Sequence, residues 1–595
     1  MEPSAFDRRA LVDCAMGRRP ADLVIQNGQW VCVQSGEIIP GTDVAIFEGR
    51  IAFVGPDASH TIGDQTQVID ADGRYLSPGL LDAHMHVESG MLTVTEFARA
   101  VIPHGTTGMF VDPHEIANVF GLRGVKLMAD EALLQPVHVH VQVPSCVPSA
   151  PGLETSGAAI GPDDVREALT WPGIIGLGEM MNFPGVSNSD PTVHAEMAET
   201  RAAGKVIGGH YPSTDLGLPF HGYVAGGPQD DHEGTRVEDA VARVRQGMRV
   251  MMRYGSAWHD VVTQVRAVTE KGLDSRCFLL CTDDSHSATL LQEGHMDRVV
   301  RHAIANGLKP MVAIQMATIN TAEYFGLSAE MGMIAPGRWA DIVLTRDLVN
   351  FQADMVIARG RIAAEDGQLL VDLPKVTYPE WATQSVHLGR TLQAADFRLP
   401  THAKTGATAN VIGIIENQAP TRHLKMPVDV RDGEVRMDLE RDIAKIALVE
   451  RHRGTGEVVV GLVHGFGLRE RCAIATTVAH DSHHMIVVGT DEADMAAAAN
   501  HLASTGGGQV VVRGGEVIGE VRLPIAGLIS NAPASEVAQA AATVLDGFVA
   551  CGCSLNNPNM QLSLLALVVI PDLRISDKGL VDVNHFRILP ILEAA

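Results

Sequence analysis

Basic side chains are scarce in this chain. Lys and Arg total 46 against 71 Asp and Glu, a formal net charge of −25 with neutral histidine. A surface that acidic repels phosphate backbones, so nucleic acid is not an expected partner. Long apolar runs are missing too. The most apolar stretch, Leu562–Ile570, is only strand-length, far short of the roughly 18 residues a membrane helix needs, so no membrane partner is expected. Cysteine is sparse: eight residues lie scattered at 14, 32, 146, 277, 281, 472, 551 and 553. They form no disulfide framework and no paired zinc knuckle, which points to reduced, mostly buried thiols in a cytoplasmic protein. The amino-terminal segment MEPSAFDRRALVDCAMGRRP has no apolar signal-peptide core. Five Trp and six Tyr stand against 25 His and 23 Met, so the placement of the histidines becomes the question. What is abundant is core material. At 46% hydrophobic and 20% charged, 595 residues exclude a disordered chain and allow about four domains.

Residues 21–76 read as short strands broken by Gly and Asp turns. The same texture returns at 332–373, and FEGRIAFVG (47–55) resembles ARGRIAAED (358–366). The two flanks read as halves of one β-sandwich split by an insertion. Within the insertion, apolar strand-length runs recur: 80–86, 106–115, 137–148, 173–180, 205–210, 226–233, 249–256 and 276–284. Helix-like stretches separate most of them. Eight strands alternating with helices over about 240 residues fit a (β/α)8 barrel; the run at 226–233 is the weakest of the eight. The expected fold class is α/β, a barrel inserted in a composite β-sandwich, plus a C-terminal α+β domain. The boundaries read are 1–76 and 326–374 for the sandwich halves, 77–325 for the barrel, 375–407 for a connecting segment and 408–595 for the C-terminal domain.

Polar residues fall where barrel chemistry sits, at the C-terminal strand ends. His84 and His86, two apart on the first strand, point to one face. Glu179 ends the fourth strand, His210 the fifth, His232 the sixth, and Asp283 and Asp284 the eighth. Singly, each has an ordinary reading: a polar strand face, a structural ion pair, a satisfied core histidine. Their common position on one barrel points instead to a metal site. Imidazoles with carboxylates suit borderline divalent ions, and one carboxylate can bridge a pair.

These motifs carry a resemblance. SPGLLDAHMHVES resembles the first-strand signature of the amidohydrolase superfamily. DAHMHVESGMLTVTEFA, GTTGMFVDPHEIANVFG, GLGEMMNFPGV, GGHYP, DDHEGT, CTDDSH, EGHMDRVVRHAI and MGMIAPGRWADIVL look like the bacterial adenine deaminase family, and NNPNMQLSLLALVVIP resembles that family's C-terminal domain. The likeness covers about residues 22–595. Many superfamily relatives carry a carbamylated Lys on the fourth strand; Glu179 holds that place here.

The resemblance implies His84 and His86 on one ion, His210 and His232 on a second, and Glu179 bridging. It implies Asp283 as the strand-eight acid that touches a metal and handles protons, with a swap of roles with Asp284 left open. It implies two divalent ions, Mn²⁺, Fe²⁺ or Zn²⁺, a free purine base as partner and a homo-oligomer, taken as a dimer. The implied reaction is hydrolysis of adenine to hypoxanthine and ammonia in purine salvage, with metal-activated water as nucleophile and Asp283 moving the proton. Deaminases of another fold use a P-C-x-x-C signature, which this chain lacks. Hydrolysis of another nitrogen heterocycle by a binuclear cyclic amidohydrolase is the alternative, though that class usually has the bridging Lys. A barrel that had lost its chemistry would lack ligands, and none is missing.

Around the same mouth, the DPHE segment supplies Asp112, His114 and Glu115. Asp112 and Glu115 are candidate acceptors for a purine N–H, against the plainer readings of a turn and a helix-end cap. Glu88 and Ser89, just past the His pair, are further substrate-binding candidates. Met180 and Met181 are expected to pack. His480, His483 and His484 are expected to be surface or interface histidines.

Overall fold

The computed structural model describes residues 7–403, 406–416 and 418–593. The first six residues of the amino-terminal segment, 404–405 of the connecting segment, and 417 and 594–595 of the C-terminal region lie outside the described residues.

The barrel strands are β1 (Leu80–His86), β2 (Thr106–Val111), β3 (His138–Val143), β4 (Ile174–Met180), β5 (Val206–Gly209), β6 (Asp230–Asp231), β7 (Arg249–Arg253) and β8 (Phe278–Cys281, with a tip at Asp283–Asp284). Every residue of β1 and β2 is buried. This is why these strands read as near-continuous apolar runs: helices cover one side and the barrel interior the other. All ladders are parallel, in the order β5-β4-β3-β2-β1 and β6-β7-β8. The β8 tip closes the ring on β1, with Asp283 opposite Met85 and Asp284 opposite His86. Between β5 and β6 there is no regular ladder. The Gln229 backbone donates to Ile207 O and the Gly209 N–H donates to Asp230 Oδ1, both at 2.9 Å. The weak sixth strand therefore shrinks to two residues, and Gly226 belongs to the preceding helix, Leu218–Gly226. In the second run, His114 already opens α1 (His114–Phe120).

The flanking segments merge into one nine-stranded sheet. Its seam is Tyr75–Pro78 antiparallel to Ile342–Thr345, with Val343 opposite Ser77. Strand alternation gives the sheet two apolar faces. Leu23, Ile25, Val44, Ile46 and Ile342 pack on one; Val24, Ala45 and Phe47 pack on the other, against Leu11 and Cys14 of an amino-terminal helix.

The C-terminal domain is an eight-stranded sheet with a helix on each face. α2 (Glu492–Thr505) buries Met495, Ala498 and Leu502 on one side. α3 (Ala534–Ala550) buries Val537, Val544 and Phe548 on the other, in a core continuous with the barrel. This domain sits on the barrel mouth. Thr155 donates through its N–H and its hydroxyl to Asp577, each at 2.8 Å, and the Thr93 N–H donates to Ser530 O at 3.2 Å. No helix of the described residues is long and apolar enough to cross a membrane.

Candidate metal centre and active site

Five strand ends converge on Glu179. Its Oε1 lies 3.5 Å from His86 Nε2 and 3.3 Å from His114 Nδ1. Its Oε2 lies 2.5 Å from His210 Nδ1 and 3.2 Å from His232 Nε2. Asp283 completes the ring: its Oδ1 is 3.1 Å from His86 Nε2 and 3.7 Å from His84 Nε2. The His84 and His232 rings stack at 4.1 Å. The structure thus brings together His84, His86, Glu179, His210, His232 and Asp283.

Backbone geometry explains the convergence. Asp283 sits at φ 61°, a left-handed conformation uncommon outside glycine. Its neighbour Thr282 is pinned by Asp82 of β1, to which it donates through its N–H at 3.1 Å and its hydroxyl at 2.6 Å. Asp82 in turn meets His295 at 3.1 Å.

The donor set fits divalent cations. His84 Nε2 is buried without a hydrogen-bond partner among the described residues. Burial, then the neighbouring His232 and His86, hold the His84 imidazole well below its ordinary range, which keeps it neutral as a ligand must be. Burial alone would raise Glu179, but the His210 charge and the bonds from His114, His210 and His232 hold it well below the carboxylate range. Burial would likewise lower His232, yet the Glu179 bond and the surrounding carboxylates lift it to about 10. Such a site has a strong demand for positive charge. His84, His86 and Glu179 form one three-donor group, and Glu179, His210 and His232 another.

Residues absent from the sequence reading complete the surroundings. Buried Arg253 at the end of β7 donates to Asp283 Oδ2 at 2.7 Å, to Asp260 Oδ2 at 2.9 Å and to Glu233. Glu233 is adjacent to His232 and Arg253 closes a strand run, so position was the available signal. Trp258 Nε1 donates to Asp284 Oδ2 at 3.3 Å, and Ser89 donates to Asp284 Oδ1. Asp283 therefore faces the histidines, while Asp284 faces Ser89 and Trp258. Burial, then the Asp283 charge, raises Asp284.

The substrate candidates divide. Glu115 is 2% exposed, and its Oε2 has no hydrogen-bond partner among the described residues. Glu115 stands in the first turn of α1, where an acid suits the helix start, but it makes no cap bond there. Glu88 Oε2 is equally unpartnered, while Oε1 accepts from the Ile116 N–H at 3.4 Å. Burial, then the Glu115 charge, lifts Glu88 to about 8. Asp112 is a correction. It lines neither cavity described below, and its Oδ2 accepts the Glu179 backbone N–H at 2.7 Å, so it supports β4 rather than a purine. Of the two readings of the C-terminal histidines, interface holds and surface does not: His483 and His484 are buried, His484 Nε2 meets Thr155 O of the barrel at 3.0 Å, and His480 and Asp481 reach the site. The chain turn that carries them over the barrel mouth has no sequence periodicity to betray it. Met180 is fully buried, as a packing residue should be, whereas Met181 lines the cleft.

Two cavities meet at this wall. An open cleft of about 1120 Å³ is lined by the metal-type residues and by Met181, Trp258 and the 564–571 segment. A smaller cavity of about 170 Å³ lies between Glu88, Ser89, His286 and the alanine face of α3. Glu115, His480 and Met560 line both.

Residues 75–363 match the amidohydrolase family, and residues 418–587 match the adenine deaminase C-terminal domain. The chain is 62% identical over 577 residues to adenine deaminase 3 of Rhizobium meliloti (strain 1021), covering 97% of each. It is 61% identical over 602 residues to adenine deaminase of Ruegeria pomeroyi, covering both chains fully. It is 51% identical over 593 residues to adenine deaminase of Moorella thermoacetica, covering 99% of each. Barrel and site thus define an amidohydrolase, a metal-dependent class. Within it, the chain belongs to the adenine deaminase family.

Proposed function

We infer that the chain hydrolyses adenine to hypoxanthine and ammonia, with the reacting C6 held before Glu179 and Asp283. One observation carries the residue roles: the two oxygens of Glu179 are divided between two sets of imidazoles, His86 with His114 and His210 with His232. This division suits a carboxylate bridging two cations, with His84 and His86 on one and His210 and His232 on the other. Mn²⁺, Fe²⁺ or Zn²⁺ all suit the donors. When bound, such ions lower the pKa of water so that hydroxide exists near neutrality.

The chain's own groups do the rest. Arg253 holds Asp283 Oδ2, which leaves Oδ1 turned to the histidines. Asp283 takes a proton from the attacking water and passes it to a ring nitrogen or the departing amine. A C6–O bond forms, the C6–N bond breaks, and ammonia leaves. Glu115, Glu88 and Ser89 bind the purine, with Ser89 acting through Asp284. A cytoplasmic location is proposed from the eight free cysteines.

Adenine added to the metal-loaded chain should shift the ultraviolet spectrum to that of hypoxanthine. Chelation should abolish the shift and two equivalents of divalent ion per chain should restore it. Full recovery with one equivalent would overturn the binuclear reading.

A further inference from the structure

The loop that includes Ala479 and His484 crosses from the C-terminal domain to the barrel mouth. Its anchors are many. Ser149 of the barrel donates to Asp481 Oδ2. Asp481 Oδ1 lies 3.8 Å from His114 Nε2. His484 Nε2 meets Thr155 O at 3.0 Å, His452 Nε2 meets Ser482 O at 2.8 Å, and Arg451 donates to His483 O. All these bonds fix the loop itself. His480 stands apart from them. Its N–H donates to Ser563 O at 3.2 Å and its Nδ1 lies 3.6 Å from Asp481 Oδ1. Its Nε2 makes no protein hydrogen bond among the described residues, and the ring lines both cavities together with Glu115 and Met560. Besides Asp481, the charges of Glu115 and Asp284 act on it.

We propose that His480 is a substrate-contacting specificity residue, supplied by the C-terminal domain and oriented by Asp481, that grips the purine edge remote from C6 together with Glu115. This rests on the adenine reading above. The chemistry is complementary. Glu115, when ionised, only accepts hydrogen bonds, whereas His480, placed beside the Asp481 carboxylate, acts as an imidazolium: its Nδ1–H faces Asp481 and its Nε2–H is left as a donor. Adenine offers a matching pair on one edge: N9–H donates and the adjacent N3 accepts. Glu115 takes N9–H and His480 gives to N3. Orientation follows from the two-sided grip, one side on the barrel and the other on the domain above it.

The test compares wild type, His480→Leu and His480→Gln on adenine and on 3-deazaadenine, which carries C–H in place of N3. Wild-type turnover of adenine checks the underlying reading independently. In His480→Leu, KM for adenine should rise by on the order of 10-fold or more, with kcat less affected and metal content unchanged. The preference for adenine over 3-deazaadenine should collapse, and His480→Gln, which restores a donor, should recover part of it. A His480→Leu enzyme with wild-type KM and wild-type preference overturns the proposal. Wild-type protein gives an answer even if the variants fail to fold. Hypoxanthine should protect the His480-containing peptide from diethyl pyrocarbonate, read by mass spectrometry, and full modification under saturating hypoxanthine also overturns it.

Discussion

Asp112 accepts the backbone N–H of Glu179 at 2.7 Å, which ties the end of β2 to the residue at the middle of the site. The approach depends on Gly178, where an added Cβ would fall 2.1 Å from Asp112 Oδ2. Gly178→Ala must push the carboxylate away and release the Glu179 main chain. Groups that orient metal ligands are worth about 10- to 100-fold in affinity or activity. We expect Gly178→Ala to lose kcat/KM by that order and to bind metal more weakly, as checked by kinetics and metal titration. Wild-type metal affinity in the variant would show that Asp112 does not position Glu179.

Glu179 and His210 should differ in what they take with them. Glu179 contacts both imidazole sets, whereas His210 belongs to one. Glu179→Ala should depress occupancy of both ions and His210→Ala of one, measured by elemental analysis after gel filtration. The activity loss should be larger for Glu179→Ala, although deletions within one site do not add. Two ions retained in Glu179→Ala would remove its bridging role.

What the sequence disclosed and what it hid have a physical basis. His84 and His86 were legible because strand period alone puts both on one face, and His210 and His232 because they close apolar runs. Arg253 closes a run as well, but nothing local says that Glu233, Asp260 and Asp283 will surround it. Asp112 was misread because an acid at a strand end looks the same whether it meets a ligand or the next strand's main chain. His480 and Asp481 were hidden most deeply. They come from a domain whose docking on the barrel depends on surface complementarity, which leaves no periodic trace.

Arg253 is the buried cation among three carboxylates, Glu233, Asp260 and Asp283. Removing one partner of a buried charged network strands the others, typically at a cost of about 3–5 kcal/mol. Arg253→Met should therefore unfold at lower denaturant concentration in the apoprotein and lose nearly all activity. Arg253→Lys keeps the charge but not the fork that reaches several acceptors, so it should fold better than Arg253→Met yet remain impaired. Equal activity for Arg253→Lys and wild type would count against a role in orienting Asp283.

Glu196 gives a pH dependence far from catalysis. It is 3% exposed on the helix Pro191–Ala202, and its Oε2 has no hydrogen-bond partner among the described residues. Burial, then the Asp190 charge, lifts its carboxyl from 4.5 to about 8. The folded protein thus holds a proton that the unfolded chain releases above pH 4.5. Stability from this group is present in full below pH 4.5 and declines as pH rises toward 8, by about 3 kcal/mol at pH 7 as an upper figure. Glu196→Gln is neutral in both states and should escape the decline. Its Tm should match wild type near pH 4.5 and exceed it by a widening margin up to pH 8. A margin that stays constant with pH would mean that Glu196 does not titrate as its burial requires.

Substrate size follows from the unpartnered acids at the mouth. A free purine has an imidazole N–H, whereas a nucleoside carries ribose at N9. Glu115 Oε2 and Glu88 Oε2 are buried without hydrogen-bond partners among the described residues, as suits acceptors waiting for such a group. A site built around a substrate N–H leaves its acceptor unpaired when that N–H is gone, which can discriminate by about 10⁴ or more. Ribose would also have to fit the wall where Glu115 and His480 face the smaller cavity of about 170 Å³. Adenine should be turned over and adenosine hardly at all. Glu115→Gln should lower kcat/KM for adenine while both metal equivalents remain bound, because its amide replaces one accepting oxygen with a donor. Comparable kcat/KM for adenine and adenosine would defeat the base-specific reading. An unaffected Glu115→Gln enzyme would instead assign the N–H to Glu88.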